Sequence, residues 1–158
     1  MAPEAWWPDP SHSAVAFLDE VPIAPADHEP VTEWREAWAV ADELAQRAID
    51  AVLAEHPLSE PAVARHLTRR LPPGAALVTS SSMPVRDVEW FGAPRSDVRH
   101  LANRGANGID GVVSTAVGVA AAGVRTTLLV GDIAFLHDSN GLLGLADRGL
   151  DLTIVVLD

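Results

Sequence analysis

The sequence predicts an α/β protein built on a doubly wound parallel sheet, and three observations predict it. Short strand-like runs at 75–79, 98–101, 126–130 and 152–157 alternate with stretches of helical period, the pattern of parallel strands joined by helical crossovers. Each of the first three runs ends in a polar loop rich in Ser, Asn, Asp or Gly, the place where an open α/β sheet meets its ligands. The small residues of Val112 to Ala122 suit a helix lying close on such a sheet.

Composition narrows the function. The chain has 158 residues, 48% hydrophobic and 21% charged, enough for one domain with a sizeable core. A net charge of −11 opposes nucleic-acid binding, which needs a basic footprint, and no polybasic segment offers itself to an anionic membrane. All 11 basic residues are Arg, which excludes a Schiff-base lysine and leaves forked cations suited to carboxylates. Cysteine is absent, so no disulfide, thiolate metal site or Cys nucleophile is available. Met1-Ala-Pro-Glu-Ala-Trp-Trp-Pro lacks the basic and apolar regions of a secretory signal, and Gly111 to Val124 is shorter than the roughly 20 residues of a membrane span. A cytoplasmic protein without a membrane span is the expectation.

The elements follow in order. Residues 1–30, with six prolines and no period, are expected to be an extended linker arriving from elsewhere, Trp6 and Trp7 docking on a surface of this chain or another. Residues 31–158 form the domain itself. From Thr32 to about His56, Trp34, Trp38, Ala41, Ala45, Ala48, Ile49 and Val52 recur at helical spacing, giving an amphipathic helix. Ser59-Glu60-Pro61 starts a shorter helix to Leu71, with Arg65, His66, Arg69 and Arg70 expected on its solvated face, and Pro72-Pro73-Gly74 ends it. The strand 75–79 leads through Ser80 to Ser82 into a helix begun by Pro84, and the strand 98–101 leads into the loop Ala102 to Gly111. The strand 126–130 stops on Gly131-Asp132, after which a turn and a helix opened by Asp138 or Ser139 are expected before the last strand.

In a parallel sheet the loops 79–83, 102–111 and 131–138 share one edge. A site there combines the hydroxyls of Ser80 to Ser82, the cations Arg86 and Arg104, the backbone of Gly105, Gly108 and Gly111, and the carboxylate of Asp132. That suits an anionic ligand beside a hard divalent metal. Each part has a plain structural alternative: Gly131-Asp132 as a turn, the serines as a helix cap, Arg86 paired with Asp87 or Asp132, Arg104 with Asp110. The glycines are not spaced for a dinucleotide fingerprint, no Walker sequence occurs, and His137 has no second His at metal spacing.

Ser81-Ser82-Met83-Pro84-Val85-Arg86-Asp87, Asn103-Arg104-Gly105-Ala106-Asn107-Gly108-Ile109-Asp110-Gly111, and the stretch Gly131 to Leu142 resemble, in order and spacing, the thiamine-diphosphate-binding (PP-type) domain of 2-succinyl-5-enolpyruvyl-6-hydroxy-3-cyclohexene-1-carboxylate synthases. The resemblance covers residues 75–158. It implies a transferase of menaquinone biosynthesis, a carboligase dependent on thiamine diphosphate and Mg²⁺, or Mn²⁺ in its place. Such an enzyme decarboxylates 2-oxoglutarate and adds the succinic semialdehyde unit to isochorismate. By position, Asp132 matches the first metal ligand, and Gly131, Ile133 and Ala134 surround the cofactor diphosphate. Ile109 props the cofactor in its bent form. Ser82, Arg86 and Arg104 hold carboxylates of substrate or intermediate, with Ser82 also beside the cofactor.

The resemblance also implies what this chain leaves to other segments. Asp158 falls where the family has the first residue of an Asn pair whose second member ligates the metal, so the domain is expected to be truncated. The glutamate that activates the cofactor belongs to a separate domain of a neighbouring subunit in a homodimer or homotetramer. The chain is therefore expected to be inactive alone. Two other readings stand beside this one: another thiamine-dependent decarboligase of the acetolactate-synthase type, and a non-catalytic α/β interaction module. Turnover of pyruvate without isochorismate by an intact protein marks the former, and association without any response to thiamine diphosphate marks the latter.

Overall fold

The computed structural model describes residues 11–13, 15, 32–103 and 108–158. Trp6, Trp7, Arg104 and Gly105, all named above, lie outside the described residues, as does most of the expected linker. Contacts divide the chain into two units, Met1–Val40 and Ala41–Asp158. The helix α1, Thr32–Glu55, runs across that division.

In the first unit Trp34 and Trp38, one helical turn apart, meet edge to face with ring centroids 6.0 Å apart. Both are more than half exposed, and no residue of α1 is buried. The amphipathic pattern correctly predicts the helix, but its apolar stripe is not covered among the described residues.

The second unit is a four-stranded, all-parallel sheet in the order β2-β1-β3-β4, with β1 Ala76–Thr79, β2 Arg99–Ala102, β3 Thr126–Gly131 and β4 Leu152–Leu157. Burial follows that order. The two inner strands are buried along nearly their whole length, as parallel strands covered on both faces must be, and the edge strand β2 is exposed throughout.

Helices cover both faces. On one, Val78, Leu128 and Val130 pack with Val112, Val113, Ala116 and Val117 of α4, Val112–Ala121, whose buried positions recur at helical spacing. On the other, Leu77, Leu129 and Leu157 pack with Ala64 and Leu67 of α2, Glu60–Arg70, and with Val88 of α3, Met83–Phe91. Truncating one of the fully buried leucines to Ala costs about 2–5 kcal/mol. This is the doubly wound arrangement that the alternation of elements predicts.

Two expectations are corrected. Arg65 is not on a solvated face: it is 5% exposed, and its guanidinium donates to Asp50 Oδ1 at 3.0 Å, to Gln46, and to the carbonyls of Phe91 and Gly92 at 3.1 and 3.2 Å. The forked charge ties the end of α1 and the end of α3 to α2. Secondly, the helix after Gly131 begins at Asp132 itself, as α5, Asp132–His137, and Ser139–Leu142 is a single 3-10 turn. Asp138 is the cap residue of that turn, as expected, but its side chain bonds none of the turn's amides because Ser114 engages the carboxylate.

No helix among the described residues is long and apolar enough to cross a membrane.

Candidate functional site

The chain leaves β1 through α3 towards β2, and leaves β3 through α5 towards β4, on the other side of the sheet. Between the carboxyl ends of β1 and β3 the connections diverge, opening the crevice at which open α/β sheets bind ligands. Ser80 and Gly131 face each other across it. The Ser80 amide donates to the Leu129 carbonyl at 3.0 Å, and the Gly131 amide donates to Ser80 Oγ at 3.4 Å. Ser80 is 1% exposed, so this hydroxyl fastens the two loops and is not itself open to a ligand.

Ser82 lies two residues on, exposed, at φ 74° and ψ −132°. A non-glycine residue in that region costs on the order of 1–3 kcal/mol, and such strain collects at binding sites. The sequence offers no signal for it. Ser82 precedes α3 without bonding its amides, so it is not the side-chain cap that one alternative supposed.

Arg86 is exposed and makes no ion pair among the described residues, which sets aside pairing with Asp87 or Asp132. Asp87, beside it in sequence, is fully buried, and neither carboxylate oxygen has a hydrogen-bond partner. Burial, and then the charge of Glu60, push its carboxyl above the usual range.

Asp132 opens α5 with its carboxylate exposed and without a hydrogen-bond partner among the described residues. It is the hard donor of this edge that is free for a divalent cation. Among the described residues no group of three metal-ligating side chains occurs, so a cation here would take its remaining ligands from elsewhere, as Mg²⁺ commonly does from phosphates. Ile133 is 64% exposed, whereas the Ala134 methyl packs into the core. Ala134 therefore has only its backbone to offer a ligand.

The third loop is described from Gly108 onward. Ile109 is half-buried against the core face shared with α4, and Asn103 closes the loop by donating to the Asp110 carbonyl at 3.3 Å. His137 at the end of α5 pairs with the Asp110 carboxylate, so it is a tether and not a ligand. Asp138, 9% exposed, accepts from the Ser114 amide at 2.7 Å and from Ser114 Oγ at 3.0 Å. The sequence hid this residue's role because its partner is 24 residues away. The three loops are thus fastened into one edge. It presents a strained hydroxyl, a fixed cation and an open carboxylate, chemistry suited to a phosphorylated or carboxylated ligand with a divalent cation. A cavity of about 510 Å³ between α1 and α2 is also lined by charged groups, but its Asp50 carboxylate is already bonded to Arg65 and Arg69.

No family model matches the chain. It is 41% identical over 161 residues to a 2-succinyl-5-enolpyruvyl-6-hydroxy-3-cyclohexene-1-carboxylate synthase of Myxococcus xanthus, an alignment covering 95% of this chain and 27% of the relative. It is 43% identical over 155 residues to the protein of that name from Saccharopolyspora erythraea, covering 96% and 28%. To that from Rubrobacter xylanophilus it is 50% identical over 128 residues, covering 79% and 22%. The chain spans about a quarter of the length of the curated relatives it matches.

Proposed function

This chain is a homologue, over 95% of its own length, of a segment of the 2-succinyl-5-enolpyruvyl-6-hydroxy-3-cyclohexene-1-carboxylate synthases, and from that premise we propose that it is the part of such an enzyme that holds the cofactor diphosphate. The cofactor is thiamine diphosphate with Mg²⁺, and Mn²⁺ can replace the magnesium. The parent enzyme is a carboligase that decarboxylates 2-oxoglutarate and adds the four-carbon unit to isochorismate.

The observation that carries this reading is the Asp132 carboxylate, without a partner among the described residues, at the crevice between β1 and β3, backed by the Ser80–Gly131 bond. The residues fit the group. Asp132 would ligate the metal, and the backbone of Gly131, Ile133 and Ala134 would hold the diphosphate. Ile109 supports the cofactor's bend from its seat on the core. Arg86, Arg104 and Ser82 hold substrate carboxylates, a task for which forked guanidinium groups give both charge and direction. The cofactor would supply a nucleophilic carbon that adds to the 2-oxo group and takes up the electrons left as CO2 departs; this chain's residues would orient the reactants and neutralise charge around them.

Residues 31–158 form the diphosphate-binding domain, with 1–30 leading to it from a central domain. The activating glutamate belongs to a separate domain of a neighbouring subunit in a homodimer or homotetramer. This chain alone is therefore expected to bind without turnover. Its acidic, cysteine-free composition suits the cytoplasm.

Isothermal titration of thiamine diphosphate, with and without Mg²⁺, tests the reading. Binding should depend on Mg²⁺ and vanish in Asp132→Ala. Binding of equal strength in Asp132→Ala would sink the assignment of the metal ligand.

A further inference from the structure

The geometry points to Asp138 as a positioning residue: by capping α4 from the far end of α5, it sets the Ile109 turn against the Asp132 helix. Its consequence for ligand binding rests on the cofactor reading above; the tether itself does not.

Helix α4 starts in an unusual way. Its cap residue, Gly111, has φ 67° and no side chain to receive the first amides of the helix. One of those amides, Ser114 N–H, is received instead by Asp138, whose second oxygen takes the Ser114 hydroxyl. A negative charge at a helix N-terminus is also favoured by the helix dipole. Both carboxylate oxygens are thereby satisfied at 9% exposure, a geometry that fixes the side chain in direction as well as distance.

Two further contacts flank this one. His137 pairs with Asp110, in the turn that carries Ile109. Gly141, in the 3-10 turn after Asp138, lies so close to α4 that a Cβ there would stand 2.7 Å from Ser114 Oγ and 3.1 Å from Ser114 N. A side chain at this position would push the turn away. Residues 137–141 therefore grip 110–114 at three successive points, with the two-bond contact of Asp138 in the middle. The other ends of the gripped segments are the candidate ligand residues themselves: Asp132 at the start of α5, and Ile109 in the turn before α4. Loosening the grip lets the two sides drift while the sheet beneath stays intact.

Backbone amide exchange of the 158-residue chain, in wild type and Asp138→Asn, reads the grip without any ligand. The Asn side chain keeps the size but cannot accept both Ser114 donors through oxygen. Exchange at Ser114 and at 108–113 should rise about tenfold, while Leu77, Leu128 and Leu129 keep their protection. Unchanged exchange at 108–114, or an equal rise through the strands, overturns the proposal. Ser114→Ala, which removes only the hydroxyl contact, should give a smaller rise in the same segment, and keeps the test decisive if Asp138→Asn fails to fold.

Titration then separates this inference from the cofactor reading. Affinity for thiamine diphosphate with Mg²⁺ should fall on the order of tenfold in Asp138→Asn, the usual effect of losing an outer-shell partner. Wild-type affinity in Asp138→Asn, with binding still abolished in Asp132→Ala, overturns the positioning role and leaves the cofactor reading standing. No binding by the wild type overturns the cofactor reading, and the exchange pattern still decides the tether.

Discussion

Ser82 shows what a single residue contributes beyond its chemical type. Its hydroxyl made it a candidate in the sequence, but its backbone, at φ 74°, is what sets it apart in the fold. Glycine adopts that region freely, so Ser82→Gly relieves strain of on the order of 1–3 kcal/mol and gives back part of it in chain entropy. A net gain of about 1 kcal/mol in urea unfolding is expected, together with weaker ligand binding if the hydroxyl is used. The place of Asp132 at the carboxyl edge of the sheet was legible at this scale because an apolar run stopped on Gly-Asp. Arg65 was misread, and the Ser114 partner of Asp138 was missed, for one shared reason. Both carry charge at positions that local pattern assigns to a solvated helix face or a helix start, and both are held by groups remote in sequence. A buried guanidinium leaves no trace in periodicity when its acceptors are the carbonyls of Phe91 and Gly92.

Helices and strands behaved more predictably than their ends. The strands were found because each is a short apolar run with turn residues behind it. The start of α5 was missed because Ile133 to Leu136 continue the apolar character of β3, so nothing in the composition marks where strand gives way to helix. Among elements, the junction of α1, α2 and α3 depends most on one side chain. Arg65→Ala leaves the Gln46 side-chain oxygen and two carbonyls without their donor, while the Asp50 carboxylate keeps its bond to Arg69. A loss of about 2 kcal/mol in urea unfolding is expected, and Arg65→Lys should recover less than half because an ammonium cannot reach all these acceptors. Thr68, whose hydroxyl receives the Ala93 amide at 2.8 Å, continues the same junction and should be affected less.

For the whole molecule, titration works in two directions. Asp87 is raised above its ordinary 3.8 by burial and by Glu60, so the folded chain holds that proton more tightly than the unfolded chain. Its contribution is complete below 3.8 and is lost as pH rises through the raised folded value. Asp50, lowered by its bonds to Arg65 and Arg69, and Asp97, lowered by its bond to Arg95, act oppositely. Their contribution is complete above 3.8 and is lost as pH falls through the lowered values. Asp87→Asn removes this titration and should raise the urea midpoint at about pH 7 more than at about pH 4. An equal shift at both would mean that the Asp87 carboxyl titrates alike in the folded and the unfolded chain. The distribution of large aromatic side chains has its own consequence. Trp34, Trp38 and Trp90 are each more than half exposed, while the sheet's two packed faces are built from Val, Leu, Ile, Ala and one Phe. Ultraviolet emission from these three indoles is that of a solvated ring before and after the core melts, so their share of the fluorescence stays almost the same colour while the sheet is lost.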